Sequence, residues 1–515
     1  EELILYLIIE QMGRKGNMKQ LRNKNLYGCV RLAFVLFAIL FSLLRQNITA
    51  IQPFLLSDIW TVALTLLAGI LVLWDVFIFR NVFKMKYIWW LVAFFVLTAV
   101  SVLLNLRYGF MDSIKSVINL FIQFFALYVV CADYKRKQLN HELKIICNVL
   151  CAVWGIAAVI SVYMFFADIF YHQTRYLWGD PVEIVQGFVR VHGGAIVMRL
   201  WGVFVDPNFA AAISVAAICF SLYIIFTVKN KLSTLLHVIN IVFQFLYIVL
   251  SNSRMGYLIL FLTTAVGAWY FAGVLIKKIN WHWCIKELLA IVIAVVAVGI
   301  CYAGVQTTKT VLPYMKASII QLQKAESVNE TLVETSKEIT SEGKEELEQQ
   351  ETIEKATTPQ EVESLERQDI AAKSDISNGR FALWFDGLKV FLKHPVLGVG
   401  PRNHYTAAVE VVPDSLVAVG YSVHNSYLEL LVGNGVLGFL VLLFYFILCA
   451  KDAVLLRYKS KTSCLEGFLM LAVLSLLASG MFIACLFYTL SGATVVLFAI
   501  LGYAVKLMTL ESGEK

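Results

Sequence analysis

The feature that most constrains this chain is a series of long apolar runs, each close to the ~20 residues that a helix needs to cross a lipid bilayer. The hydrocarbon core of a membrane, about 30 Å thick, offers backbone groups no hydrogen-bond partner, so only helices and closed barrels span it. Barrel strands are shorter and alternate apolar with polar residues, whereas these runs are continuous. The sequence therefore predicts membrane-spanning helices.

Composition indicates that most of the chain lies in lipid. Of its 515 residues, 59% are apolar and only 15% are charged, which is too few charges for the surface of a soluble protein. The predicted fold class is an all-α, polytopic integral membrane protein with about twelve transmembrane helices. The predicted spans lie near residues 29–44, 58–79, 87–104, 113–131, 145–166, 209–228, 235–250, 254–276, 288–305, 426–449, 465–485 and 488–506.

Lys and Arg in the short loops predict the orientation, because basic loops tend to remain in the cytoplasm. Every second loop is basic, whereas the alternating loops carry far fewer cations. Both ends of the chain, residues 1–28 and 509–515, are therefore expected in the cytoplasm. The first nine spans occupy residues 29–305 and the last three residues 425–508, so the large loop 306–424 between them is expected to be extracytoplasmic.

Net charge and cysteines give no sign of other chemistry. The net charge of +7 follows from the basic inner loops and suits anionic membrane lipids, so nucleic acid is not an expected partner. All ten cysteines lie in or beside apolar runs, so neither a disulfide framework nor a zinc site is predicted. The apolar run from Leu3 to Ile9 is too short to span and lacks a cleavage site, so a signal peptide is not predicted either.

The large loop has two parts of different composition. From about residue 317 to 375 it is rich in Glu, Lys, Gln, Ser and Thr, which predicts a solvated helical hairpin or a partly disordered insert without chemistry. After Ser377 the sequence becomes aromatic and glycine-rich, as loops that carry sites often are. Gly398 and Gly400 lack the rest of a phosphate-loop pattern and follow no strand, so they predict a tight turn.

Four polar features, far apart in sequence, lie on the extracytoplasmic side according to this topology. They are Arg199 with the Asp206-Pro207-Asn208 turn before the sixth span, Ser251-Asn252-Ser253-Arg254 between the seventh and eighth, Arg380 in the large loop, and His424 at the start of the tenth. Their shared side of the membrane predicts that they form one site.

Each feature also has a structural explanation that involves no chemistry. Asp206 followed by Pro207 is a typical helix N-cap with proline at the first helical position, and Asn208 can support that cap. Arg254 is placed where arginines extend their heads toward the membrane interface. His424 can cap or pack against the helix that follows it.

Together the features suit a lipid-linked diphosphate. A guanidinium forks onto phosphate oxygens, keeps its charge, and stabilises negative charge growing on a leaving diphosphate. Histidine, with an ordinary pKa of about 6.5, can accept a proton from a sugar hydroxyl near neutral pH. Because ATP and nucleotide sugars are not supplied outside the cytoplasmic membrane, synthesis there needs a donor already activated on a lipid. The residues therefore predict glycosyl transfer from a lipid diphosphate.

The chain resembles the O-antigen ligase and polymerase superfamily of bacterial membrane proteins. The resemblance covers residues from about Arg199 to Leu448. It rests on the order and spacing of Arg199–Asn208, Ser251–Arg254, Arg380 with Trp384, His394–Gly400, and His424-Asn425 before Gly435–Gly438. The long acidic insert before Arg380 departs from the compact loop that the family has.

The resemblance implies a metal-independent, inverting glycosyltransferase of the bacterial cytoplasmic membrane that needs no cofactor. The implied donor is an undecaprenyl-diphosphate-linked glycan, and the implied acceptor is a glycan or another lipid-linked molecule, in surface polysaccharide biosynthesis. His424 is implied as the catalytic residue that activates the acceptor hydroxyl. The substrate-binding residues are expected to be Arg254 and Arg380, on the diphosphate, with Arg199, Asn208 and Asn425.

The carboxylates agree with inversion. Retention of configuration usually needs a carboxylate nucleophile paired with a second acid, and the sequence shows no such pair. Asp206, Asp386 and Glu429 stay open as candidates. Glu429 follows His424 by five residues in a predicted helix, about 140° away around the axis, so it is expected to point elsewhere.

Three functions remain distinct at this point. A polymerase extends a lipid-linked repeat, and a ligase moves the finished glycan to a lipid A core, wall or protein acceptor. We favour the polymerase, because surface-polysaccharide gene clusters commonly encode such proteins. A lipid or polysaccharide transporter is less favoured, because the chain lacks matching halves and its charged residues sit at the ends of spans rather than at mid-membrane depth.

Overall fold

A computed structural model describes residues 23–55, 58–169, 171–177, 180–186, 189–192, 195–338, 365, 379–459 and 465–512. Among the residues outside this description are the N-terminal segment up to residue 22, residues 339–378 apart from Leu365, which hold most of the predicted insert, and the last three residues. The expectations about those segments therefore stay predictions.

The described residues form fourteen main helices and four short strands. Before the strands come α1 (Lys24–Asn47), α2 (Asp58–Trp74), α3 (Ile88–Leu104), α4 (Phe110–Phe121) and α5 (Arg136–Phe166); π-helical turns at Asp75–Phe79 and Ile122–Leu127 extend α2 and α4, and short helical turns lie at Gln52–Leu55 and Val82–Lys84. After the strands come α6 (Pro207–Thr227), α7 (Lys231–Leu250), α8 (Arg254–Ile276), α9 (Trp283–Glu338), α10 (Arg380–Lys393), α11 (His404–Val411), α12 (Ser426–Lys459), α13 (Glu466–Ser479) and α14 (Gly492–Ser512).

Each of the twelve predicted spans coincides with an apolar helix, which confirms a polytopic, helical membrane protein. Ten of the described helices are long and apolar enough to cross a membrane, whereas α3 and α13 are apolar but shorter. The number of crossings therefore stays a prediction. The helix of the ninth predicted span does not end at Val305 but continues to Glu338, so the large loop begins as helix.

Two antiparallel hairpins between α5 and α6 were not predicted. Strand β1 (Tyr171–Leu177) pairs with β2 (Asp180–Gln186), and β3 (Val189–His192) pairs with β4 (Ala195–Met198). The hydropathy pattern that predicts helices in lipid carries no signal for such short extramembrane strands.

The centre of the bundle is formed by α6 and α14. Most residues of both helices are buried inside the protein, whereas the apolar part of α9 leaves most of its surface uncovered. A helix that is apolar all round is either enclosed by other helices or faces lipid. We therefore take α9 to lie at the lipid-facing periphery.

The segment between α13 and α14 differs from the prediction. A span was expected to continue to Cys485, but α13 ends at Ser479 and residues 480–491 are not helical. The start of α12 satisfies part of this irregular backbone, because the Ser426 amide donates to the carbonyls of Gly480 (2.7 Å) and Ile483 (3.0 Å). Irregular backbone near a membrane is tolerated where protein groups satisfy it in this way.

Helix α12 is broken at Gly435, whose backbone (φ 64°, ψ −171°) is not helical. The loop 395–400 fits against this break. The amides of Val399 and Gly400 donate to the carbonyls of Val432 and Gly433, each at 2.9 Å. A Cβ at Gly435 would lie 2.2 Å from the Val396 carbonyl oxygen, so glycine is required there.

The prediction of a tight turn at Gly398 and Gly400 is confirmed. Both have positive φ, 69° and 88°, which glycine adopts without strain. Because the Val399 and Gly400 amides bond to α12, they are not directed at a ligand as the amides of a phosphate loop are.

Candidate active site

The start of α6 is built by the turn that the sequence predicts. The Asp206 carboxylate accepts hydrogen bonds from the amides of Asn208 (2.7 Å) and Phe209 (3.3 Å), and Pro207 is the first helical residue. The capping role of Asp206 is confirmed. This cap fixes the Asn208 side chain on the first turn of α6.

Asn208 belongs to a network that joins three segments of the chain. Its Oδ1 accepts from Arg199 Nη2 (2.7 Å) and from Ser253 Oγ (2.9 Å), and Arg199 Nε donates to the Ser251 carbonyl (2.9 Å). Arg199 is only 8% exposed. The network therefore fixes the α7–α8 turn relative to the start of α6.

The α7–α8 turn carries backbone strain. Asn252 has φ 47°, a left-handed conformation that is uncommon for a residue other than glycine. Its side chain donates to the Leu365 carbonyl (2.6 Å) and accepts from Lys309 Nζ (3.0 Å). Strained backbone of this kind persists only where surrounding contacts hold it, and it is frequent at functional sites.

Arg254 follows this turn as the first residue of α8, and it is half-buried. The preceding Ser253 caps α8, because its Oγ accepts from the Gly256 amide (3.1 Å). A helix N-terminus carries a partial positive charge, which adds to the guanidinium in attracting an anion. The turn thus presents concentrated positive charge.

Lys309 is a further cation near this turn, and it is not among the residues predicted from the sequence. It lies on α9, bonded to Asn252 and placed over the Tyr257 ring at 4.6 Å from the centroid. The predicted end of the span at Val305 put Lys309 in the large loop. Lys309 lies four residues after Val305, about one helical turn further along α9. That spacing is the feature of the sequence that could have identified it.

His424 also has a left-handed backbone, with φ 47°. It lies directly before α12, its amide donates to Ser422 Oγ (3.2 Å), and its side chain is accessible to solvent. The next residue, Asn425, caps α12 by accepting from the amides of Tyr427 (3.0 Å) and Leu428 (3.1 Å). The amide oxygen of Asn425 is therefore engaged in holding the helix end beside His424.

Arg380 and Asp206 lie close enough to His424 for their charges to act on it. Partial burial lowers the pKa of His424 below its ordinary value, the Arg380 guanidinium lowers it further, and the Asp206 carboxylate opposes both. The structure thus brings together residues from α6, α10 and the start of α12. A lowered pKa leaves the imidazole neutral at pH 7, in the form that can accept a proton.

Helix α10, which begins at Arg380, packs against the segment around His424. Gly387 permits the close approach, because a Cβ there would lie 3.0 Å from Val423 Cγ1 and 3.1 Å from Leu428 Cδ2. Gly379, with φ 83°, lets the chain turn into α10. These contacts hold the two predicted site residues on neighbouring elements.

The other candidate carboxylates, Asp386 and Glu429, interact with other side chains. Asp386 pairs with Lys389 at 2.9 Å on the surface of α10. Glu429 is buried, and its charge interacts with Arg402 and Tyr405. These interactions agree with the expectation that Glu429 points away from His424, which stays a prediction. Within the described ranges, no group of three or more His, Cys, Asp or Glu side chains could hold a metal ion.

Comparison with known proteins gives one family. Residues 239–443 match the family model described as O-Antigen ligase. The matched range contains Arg254, Arg380 and His424, and it begins after Arg199 and Asn208. No curated protein sequence matches the chain.

Proposed function

We propose that this chain, a member of the O-antigen ligase and polymerase superfamily, transfers or polymerises undecaprenyl-diphosphate-linked glycan on the extracytoplasmic face of the bacterial cytoplasmic membrane. Both termini lie in the cytoplasm in this proposal. The observation that carries it is that the charges of Arg380 and Asp206 act on His424, while Asp206 caps the first turn of α6, whose Asn208 bonds to the turn before Arg254.

Arg254 and Arg380 bind the donor diphosphate in this proposal. Each is the first residue of a helix, so the helix N-terminus and the guanidinium attract the same anion. Both stabilise the negative charge that grows on the diphosphate as it leaves. Lys309, held beside the α7–α8 turn, adds to this positive charge.

His424 acts as the general base. The acceptor hydroxyl oxygen attacks the anomeric carbon while its proton passes to the imidazole. The bond from that carbon to the diphosphate oxygen breaks, and its electron pair leaves with the diphosphate. Attack opposite the leaving group inverts the configuration, and no carboxylate nucleophile is needed.

Arg199, Asn208 and Asn425 hold the site rather than contact substrate. The hydrogen bonds of Arg199 and Asn208 connect the first turn of α6 to the α7–α8 turn, and Asn425 caps α12. This assignment refines the expectation that all three bind substrate. It makes them positioning residues for Arg254 and His424.

The polymerase is the favoured activity, with the acceptor being another lipid-linked glycan. A ligase that uses a lipid A core, wall or protein acceptor is the alternative, and a transporter is the second alternative. The acceptor that supports product formation separates the first two. Movement of the lipid across vesicle membranes without any transfer would indicate the third.

The test is transfer by the purified protein in nanodiscs, with a short lipid-diphosphate oligosaccharide and a metal chelator. His424→Ala should abolish product, because no other group replaces the base. Arg254→Lys should reduce it, because an ammonium keeps the charge but loses the fork. Lys393→Gln, which removes an exposed cation at the end of α10, is the matched control and should retain activity.

Each outcome bears on a different part of the proposal. Wild-type product from both His424→Ala and Arg254→Lys would overturn the site. Loss of product in the chelator would contradict a metal-independent reaction. All variants must elute from size exclusion like the wild type, so that misfolding does not imitate a catalytic loss.

A further inference from the structure

A polar cavity lies at the ends of α1 and α4, lined by residues that the proposed reaction does not use. Its volume is about 300 Å³. Three cations, Arg45, Lys115 and Arg402, line it, whereas Asp112 is the one carboxylate in the lining. The balance of charge favours an anionic ligand. We call this space the Arg402 cavity.

Two of the cations lie within apolar helices. Arg45 is near the end of α1 and Lys115 is in the second turn of α4, and both helices are long and apolar enough to span a membrane. Charged residues in such helices are costly and usually face polar cavities that have a function. Arg45 bonds to Thr61 Oγ1, which also lines the cavity, so its head is held there.

Extension of these side chains toward lipid headgroups is the ordinary alternative. That alternative explains one cation at a helix end, but not three that converge from separate elements. Arg402 comes from the loop before α11, where its backbone is left-handed with φ 61°. The loop is held by a hydrogen bond from Asn403 Nδ2 to the Val399 carbonyl (2.9 Å). This geometry directs an exposed guanidinium into a recess.

Two cations of the cavity, Lys115 and Arg402, are exposed in the structure. Within the part of the chain that the structure describes, neither Lys115 nor Arg402 has a carboxylate at ion-pair distance. Glu429 acts on Arg402 only from a greater distance. Both side chains are therefore available to a ligand that carries more than one negative charge.

The cavity and the candidate active site share two structural elements. Tyr488 and Thr489 of the segment 480–491 line the cavity, and the same segment is bonded to Ser426 at the start of α12. Gly433 of α12 lies against Pro401 and Tyr488, because a Cβ there would be 3.3 Å and 3.0 Å from them. Along α12, Ser426 and Gly433 are separated by a rise of roughly 10 Å. The two sites thus flank the same helical segment.

We propose that the Arg402 cavity binds the diphosphate of the acceptor, a second polyprenyl-diphosphate-linked glycan. The proposal rests on the proposed function and makes it a polymerisation. In such a reaction the donor diphosphate leaves beside Arg254 and Arg380, whereas the acceptor keeps its own diphosphate. That second diphosphate needs a separate basic site, displaced from His424 by the length of a repeat. Three cations on separate elements suit its several oxygens.

The experiment counts binding sites for farnesyl diphosphate, a short polyprenyl diphosphate, by isothermal titration calorimetry of the full chain in detergent. The wild type should bind two molecules. The double variant Lys115→Gln/Arg402→Gln should bind one, with the second weakened by about one-hundred-fold or more because two charged contacts are lost. Arg254→Gln should lose the other molecule. Lys393→Gln should bind two.

The results separate this inference from the proposed function. The inference would be overturned if the double variant still bound two molecules. It would also be overturned if the wild type bound only one molecule and only Arg254→Gln removed it, but in that case the assignment of Arg254 to the donor diphosphate would stand. Displacement of farnesyl diphosphate from the cavity by equimolar phosphatidylglycerol would identify a headgroup site and also overturn it. In the transfer assay, the double variant should raise the KM for the lipid-diphosphate oligosaccharide, which is both donor and acceptor there.

Discussion

Substitution of Asn208 tests whether this side chain contacts substrate or holds the site together. In Asn208→Ala, Arg199 Nη2 and Ser253 Oγ both lose their shared acceptor, which lies 2.7 Å and 2.9 Å away. A hydrogen bond from a charged donor contributes about 1.5–3 kcal/mol and one from a hydroxyl about 0.5–1.5 kcal/mol. The loss of stability is therefore about 2–4.5 kcal/mol, concentrated where the α7–α8 turn meets α6.

Asn208→Asp is the matched control. A carboxylate accepts from both Arg199 and Ser253 and gains an ion pair with the buried guanidinium, so the network is kept. We expect Asn208→Ala to lower both the thermal unfolding temperature and kcat, because a misplaced Arg254 loses transition-state stabilisation. Asn208→Asp should retain the unfolding temperature and most of kcat.

The assays are thermal unfolding in detergent and initial transfer rates at saturating donor. Suppose instead that the Asn208 amide donates a hydrogen bond to the substrate diphosphate. Asn208→Asp would then replace the amide NH2 by a negative charge that repels the diphosphate, and transfer would be abolished while the protein stays stable. That pattern would refute a positioning role. Equal activity and stability in Asn208→Ala and the wild type would refute the network itself.

Three further predictions concern other parts of the structure. Activity should fall as the pH drops through the lowered pKa of His424, because protonation removes the base. Arg380 lowers that pKa, so Arg380→Gln should move the acidic limb of the kcat/KM profile to higher pH. Asp206 raises the pKa, so Asp206→Asn should move the limb to lower pH. Gly435→Ala should reduce the yield of folded protein on size exclusion, because its backbone (φ 64°, ψ −171°) lies in a region that is essentially restricted to glycine, which costs about 1–3 kcal/mol. The alanine Cβ would also overlap the Val396 carbonyl, whereas Gly299→Ala, in open space on α9, should be tolerated. Removal of the insert from about Ser327 to Thr358 should preserve transfer, as its solvated composition predicts, but a deletion that also removes Leu365 should lower it, because Asn252 then loses an acceptor.

The helices could be predicted because lipid forces each apolar run to satisfy its own backbone. Hydropathy does not predict where a helix breaks or ends if neighbouring protein, and not lipid, surrounds it. The break of α12 at Gly435 and the irregular segment 480–491 both occur where other backbone supplies the hydrogen bonds. The continuation of α9 beyond Val305 was missed because an apolar run marks the lipid boundary of a helix and not its end.

The candidate site could be predicted in part. The basic loops predict that Arg254, Arg380 and His424 lie on the same side of the membrane. In the structure, Arg380 and Asp206 lie close enough to His424 for their charges to act on it. The partners of each side chain were beyond the sequence. Whether Asn425 binds a sugar or caps a helix depends on backbone geometry that no spacing encodes. Lys309 was missed because the predicted end of the ninth span at Val305 placed it in the large loop.

The cations near the site separate into two groups by what holds them, and this separation bears on the choice between polymerase and ligase. Arg199 is buried and bonded to protein acceptors on two sides, so it has little left to offer a substrate. Lys115 and Arg402 are exposed in a shared cavity, with no described carboxylate at ion-pair distance. A ligase whose acceptor carries no diphosphate needs one strongly basic site. A polymerase that joins two lipid diphosphates needs two such sites. In our proposal Arg254 and Arg380 form the first, and the Arg402 cavity forms the second.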